Sequence, residues 1–178
     1  MPTPTLVTTP GASTANAYCS IAEADAYHDG HVGGSVWAAL TTDAKTRAIM
    51  QATRMLDAYV VWDGYATKVA DGQVLAFPRA GLVDLNTDLE VDDETIPTNV
   101  KYACAEQARL LAQSDRSLEL AQQAQGLSML SAGGVVLTFQ QNAPGREAIA
   151  PSVWALVRQW GRRLPSARTS HAAQLERV

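Results

Sequence analysis

The sequence predicts a mainly α fold: a small helical bundle with a long ordered connector, a short β-hairpin and an extended C-terminal segment. Three observations predict it. Apolar residues recur at spacings of three and four from Ala48 to Tyr59 and again from Val100 to Leu111, which is the period of a helix with one buried stripe. Between those stretches, Phe77-Pro78-Arg79 cannot lie inside a helix, because Pro78 has no N–H and pushes Phe77 into extended geometry. Further on, Leu127 to Phe139 reads as two short strands about Gly133-Gly134.

Composition is consistent with a core of close-packed helices. Of 178 residues, 47% are apolar and 18% charged, and alanine dominates the apolar set. The length fits one domain: a flexible arm over 1–17, a helical domain over 18–164 with the hairpin near 127–140, and a flexible tail over 165–178. The N-terminus has no basic residue leading into an apolar run, and no stretch of about 18 apolar residues occurs, so neither a signal peptide nor a membrane span is expected. Cys19 and Cys104 sit in apolar helical patterns and read as buried free thiols in a reducing compartment.

In chain order, Ser20-Ile21-Ala22-Glu23 fits a capping box that opens a first helix. Ile21, Ala24 and Tyr27/His28 form its apolar side, and Gly30 and Gly33-Gly34 stop it, with Trp37 and Leu40 in a short linker. Thr42 or Asp43 caps a second helix whose stripe is Ala48, Ile49, Ala52, Met55, Leu56 and Tyr59, and which ends near Val61. Lys45, Arg47, Arg54 and Asp57 take its other side. A connector of about 30 residues follows, longer than most in compact domains. Trp62, Leu75 and Phe77 predict that it is ordered against the core. Pro97 suits the first turn of a third helix, which runs to about Gln113. Ser152 caps a last helix with Val153, Trp154, Leu156, Val157 and Trp160, ended by Pro165. The hairpin alone is marginal in water and needs the helices or a neighbouring chain to lie on.

Charge is unevenly spread. Residues 1–144 hold 8 Lys+Arg against 16 Asp+Glu (−8), and residues 145–178 hold 6 against 2 (+4), giving −4 overall. Asp84, Asp88, Glu90, Asp92, Asp93 and Glu94 concentrate the acidity in the connector. An acidic body with an arginine-rich end favours contacts between unlike surfaces; a general nucleic-acid binder should have a basic body.

The residue patterns of catalysis are missing from the sequence, and no enzyme, metal or cofactor is expected. His28-Asp29-Gly30-His31 lacks the i, i+4 histidine spacing of a zinc helix. The connector acids lack the ligand spacing and mid-loop glycine of a calcium loop, so a solvated or partner-facing acidic loop is the simpler reading. No phosphate-binding glycine loop, nucleophile elbow or Cys-x-x-Cys occurs. Trp154 and Trp160 with Arg158, Arg162 and Arg163 read either as a core helix with a solvated face or as a binding surface of the residue types enriched in hot spots. Arg79 reads either as an ordinary surface arginine or as a cation held by a fixed extended backbone against an acidic group.

Several stretches then fall in a recognisable order: Ala15-Asn16-Ala17-Tyr18, Ala22 to Tyr27, Ala52 to Asp57, Trp62-Asp63-Gly64, Gln73-x-Leu75-x-Phe77-Pro78-Arg79, Ile96-Pro97 and Ala103-x-x-Glu106-x-Ala108. From Ala15 to Leu111 they resemble the phage proteins labelled DnaT-like single-stranded-DNA-binding, which look like head–tail connector (adaptor) proteins of tailed bacteriophages. The resemblance implies a virion protein made in the host cytoplasm. It would form a ring, commonly of twelve, beneath the portal protein and above a downstream tail, stopper or nozzle protein. Double-stranded DNA would pass through its lumen. The alternative it carries is single-stranded DNA binding. On the adaptor reading, portal contacts are expected from Trp154, Val157, Arg158, Trp160, Arg162, Arg163 and Arg168, and subunit contacts from Phe77, Arg79, Val135, Leu137 and Phe139. Asp84 to Glu94 would face the lumen or a partner.

Overall fold

The structure, a computed structural model, describes residues 4–113, 129–132, 135–138 and 148–164. Five helices and several two-residue to four-residue strands make it mainly helical among those residues: α1 (Ile21–Asp29), α2 (Gly34–Ala38), α3 (Thr42–Tyr59), α4 (Thr98–Gln113) and α5 (Pro151–Val157). Helix α4 is central, packing against α1, α2, α3 and α5. Its small residues Ala103, Cys104, Ala105 and Ala108 are buried and let its neighbours approach closely. Ile49, Ala52 and Leu56 of α3 are fully buried, as the helical stripe predicts.

Helix α1 has the expected capping box: Ser20 Oγ accepts from the Glu23 amide and the Glu23 carboxylate accepts from the Ser20 amide. What reads in sequence as a linker after it is instead helix α2. That short helix seats Trp37, 1% exposed, whose indole N–H donates to Asp25 at 2.7 Å. Gly34 is needed at the junction, since a Cβ there would lie 2.3 Å from the His28 carbonyl oxygen. Thr41, rather than Thr42 or Asp43, caps α3 by accepting from the Ala44 amide.

Two strands lie where only helix or turn is expected. Val60–Trp62 (β1) continues directly from α3 and pairs antiparallel with Gly161–Arg163 (β8), in register Val60↔Arg163 and Trp62↔Gly161. The C-terminal helix therefore stops at Val157, well before Pro165. It is entered through Ala150 and Pro151, with no side-chain cap from Ser152.

The connector is ordered. Tyr65–Ala66 (β2) pairs with Arg79–Ala80 (β3) and Val83–Asp84 (β4) pairs with Leu89–Glu90 (β5), all antiparallel, with a 3-10 turn over Val69–Asp71. Phe77, Leu82 and Ile96 are buried in the core cluster, and the Phe77–Pro78 peptide is cis. The hairpin near 127–140 is present as Met129–Ala132 (β6) against Val135–Thr138 (β7), with Ser131 opposite Val136. Residues 4–17, expected as a mobile arm, make specific contacts: Leu6 packs on the core, and the Val7 amide donates to the Asn16 side chain at 2.8 Å while the Asn16 amide donates to Val7 O.

Candidate interaction surfaces

The residues the sequence singles out divide into those that hold the connector in place and those left on the surface. Asp57, at the end of α3, is the centre of the first set. It accepts from the Tyr18 hydroxyl, from the Trp62 indole N–H at 3.3 Å and from the Ala76 amide at 3.2 Å. One carboxylate thus joins the N-terminal segment, α3, β1 and the connector. Burial pushes its pKa up, against the pull of those three donors. The Tyr18 hydroxyl is pushed well up as well, by burial and then by the Asp57 charge.

Phe77 and Arg79, expected at a subunit contact, serve the interior of their own subunit. Phe77 is 1% exposed and meets Trp62 and Tyr18 edge-on. The Arg79 guanidinium donates to the carbonyls of Asp63 at 2.6 Å, Gly64 at 2.7 Å and Ala76 at 3.2 Å, and its charge favours the ionised form of Asp57. It thereby satisfies the backbone of the Trp62-Asp63-Gly64 turn, a role a fixed fork of donors suits. Val135 and Leu137 lie on β7, whose side chains, with Phe139, fall outside the described residues.

The acidic stretch forms a surface finger. Asp84 and Glu90 sit on the β4–β5 ladder, and Asp84 also accepts from the Asn86 amide at 2.9 Å to shape the tip. Asp88 takes positive φ there. Asp92 and Asp93 are exposed, and Glu94 reaches back to Lys68 at 3.0 Å. The sequence reading missed that Val83, Leu85 and Leu89 are exposed on this same finger, Leu85 at 74%. Val83, Leu85 and Leu89 read in sequence as core residues, and only the short β4–β5 ladder shows them facing outward.

In the C-terminal segment, Val157 and Trp160 are buried and belong to the core. Arg158 and Arg162 are exposed. Arg163 lies over the Trp154 ring, 5.0 Å from its centroid. Arg168 falls outside the described residues. The expected Trp/Arg surface therefore reduces to two exposed arginines beside a covered, half-buried Trp154.

Among the described residues, three further cations are used within the fold. Lys45 pairs with Asp25, and Lys101 with Glu23. Burial opposes ionisation of both carboxyls, yet these ammonium groups and nearby hydrogen bonds hold them below the ordinary range. Arg109 grips Glu106 through two hydrogen bonds of 3.0 and 2.7 Å. Arg47 and Arg54, one helical face of α3, are exposed. Among the described residues no cluster of metal-ligating side chains occurs, no helix is long and apolar enough to cross a membrane, and both cysteines are free and buried. His28 is buried with Nε2 against the Ala105 carbonyl at 3.1 Å, and burial lowers its pKa.

The family described as "Putative DnaT-like ssDNA binding protein" matches residues 5–178. No curated protein and no solved structure matches the chain.

Proposed function

Because the chain belongs to the family of putative DnaT-like ssDNA binding proteins, we propose a role that the motifs of that family and this surface together favour: a structural subunit that binds protein. Specifically, it is the head-to-tail adaptor of a tailed bacteriophage. It forms a ring, of about twelve copies on the family resemblance, that docks beneath the portal protein, contacts a tail or stopper protein below, and lets packaged DNA pass. It is not an enzyme and needs no cofactor. One observation carries the preference for protein over DNA: the exposed apolar side chains Val83, Leu85 and Leu89 stand among carboxylates on the β4–β5 finger, a surface that repels phosphate and suits a protein partner.

The second reading, single-stranded DNA binding, has the more direct support from comparison, since the family's description names it. That activity calls for a basic groove with aromatic platforms. Here Trp37, Trp62, Trp160 and Phe77 are buried, and the exposed Tyr59, Tyr65 and Tyr102 stand on α3, β2 and α4 respectively.

Portal binding is tested by light-scattering mass of the full chain mixed with the portal ring of the same phage. The chain should join the portal, and the variant Arg158→Glu/Arg162→Glu, altered only at exposed positions, should join about tenfold more weakly. Full chain that ignores the portal contradicts the adaptor role.

A further inference from the structure

We propose that the β4–β5 finger of one subunit docks into a groove at the far end of α4 on a second copy of the chain. This rests on the adaptor reading and names the surfaces by which its copies meet. The groove, about 260 Å³, lies between the start of α3 and the end of α4 and is lined by Leu40, Ala44, Ala48, Leu111, Gln51 and Arg47 among others. Among the described residues its lining carries no carboxylate, and its cation Arg47 is exposed. The finger offers the complement: Leu85 and Leu89, 74% and 67% exposed, set among Asp84, Asp88 and Glu90 with no Lys or Arg between Gly81 and Asn99. Apolar tip meets apolar floor, and carboxylates meet Arg47. Desolvated pairing of that kind fixes register between partners more than it adds affinity.

Geometry makes this a contact between copies. The finger lies against Thr98 and Asn99 at the start of α4, whereas the groove is lined by Leu111 and Ala112. Leu111 lies thirteen positions after Thr98 along the helix, about 20 Å at 1.5 Å per residue. A subunit therefore does not reach its own groove with its own finger. Each copy presents both halves on different surfaces, so a contact made in one direction only is heterologous and repeats, giving a closed ring or an open filament, whereas a reciprocal exchange would stop at a dimer and give no ladder.

The test is disulfide trapping in the full chain. Ala44→Cys/Leu89→Cys, oxidised under mild conditions, should give a ladder of multimers, while either single cysteine variant gives none beyond dimer. Adding Arg47→Glu should cut the ladder about tenfold, and adding Asp88→Lys and Glu90→Lys to that should restore it. No ladder, or a ladder indifferent to Arg47→Glu, overturns the contact. Portal binding is scored separately: a chain that joins the portal without the ladder keeps the adaptor role and loses this interface, and a ladder without portal binding does the reverse.

Discussion

Asp57 shows how much one half-buried carboxylate does here, because removing its charge touches three segments at once. Asp57→Asn keeps the shape but turns an N–H toward one of three donors, and should cost about 1–3 kcal/mol in denaturant unfolding. The pH dependence separates its charge from its shape. Its folded pKa is raised above the ordinary value, so the folded state holds the proton more tightly. Its contribution is therefore fully present below the unfolded pKa and is lost as pH rises through the folded pKa. Measured from pH 4 to 7, wild type should lose stability relative to Asp57→Asn as pH climbs, then run parallel to it. A gap that grows in favour of wild type contradicts the assignment. Glu23 and Asp25 run the other way. Their lowered pKa values give stability present above the unfolded pKa and lost as pH falls through the folded one. At this scale the sequence was partly legible. Phe77 and Arg79 were visible as an ordered pair, since proline restricts its neighbours. That Arg79 serves carbonyls within its own chain was not, because backbone acceptors leave no mark in a residue string.

Helices with a clear stripe, α3 and α4, were legible because burial on one face writes a period into the sequence. Strand β8 was hidden. Gly161-Arg162-Arg163 has no alternation, and its pairing with β1 spans about 100 residues, so only the fold brings the two together. Gly161 makes that pairing possible: a Cβ there would sit 2.7 Å from the Val61 carbonyl oxygen, against backbone that has little room to shift. Gly161→Ala should therefore destabilise by about 1–3 kcal/mol, with hydrogen exchange fastest in β1 and β8. An unchanged unfolding midpoint would contradict the pairing. The same element sets where the chain tolerates truncation. Ending after Leu164 should leave a cooperative unfolding transition, whereas ending before Pro151 removes Val153, Val157 and Trp160 from the core and should abolish it. A cooperative fold that survives the shorter truncation would show that α5 is not part of this core.

For the whole molecule, charge and exposure matter more than any single group. Glutamates and aspartates dominate the body, arginines the C-terminal end, and this asymmetry was readable from composition alone. The location of exposed apolar surface was not, since Leu85 and Leu89 look like core residues until the short β4–β5 ladder turns them outward. The proposed role has this surface binding protein and not DNA. The most direct test is the anisotropy of a labelled single-stranded oligonucleotide of about 30 nucleotides, titrated with the full chain at about 0.15 M salt. The expected result is no saturable binding tighter than about 1 µM. Saturable binding below that level, weakening steeply as salt is raised, would contradict it and establish single-stranded DNA as the ligand.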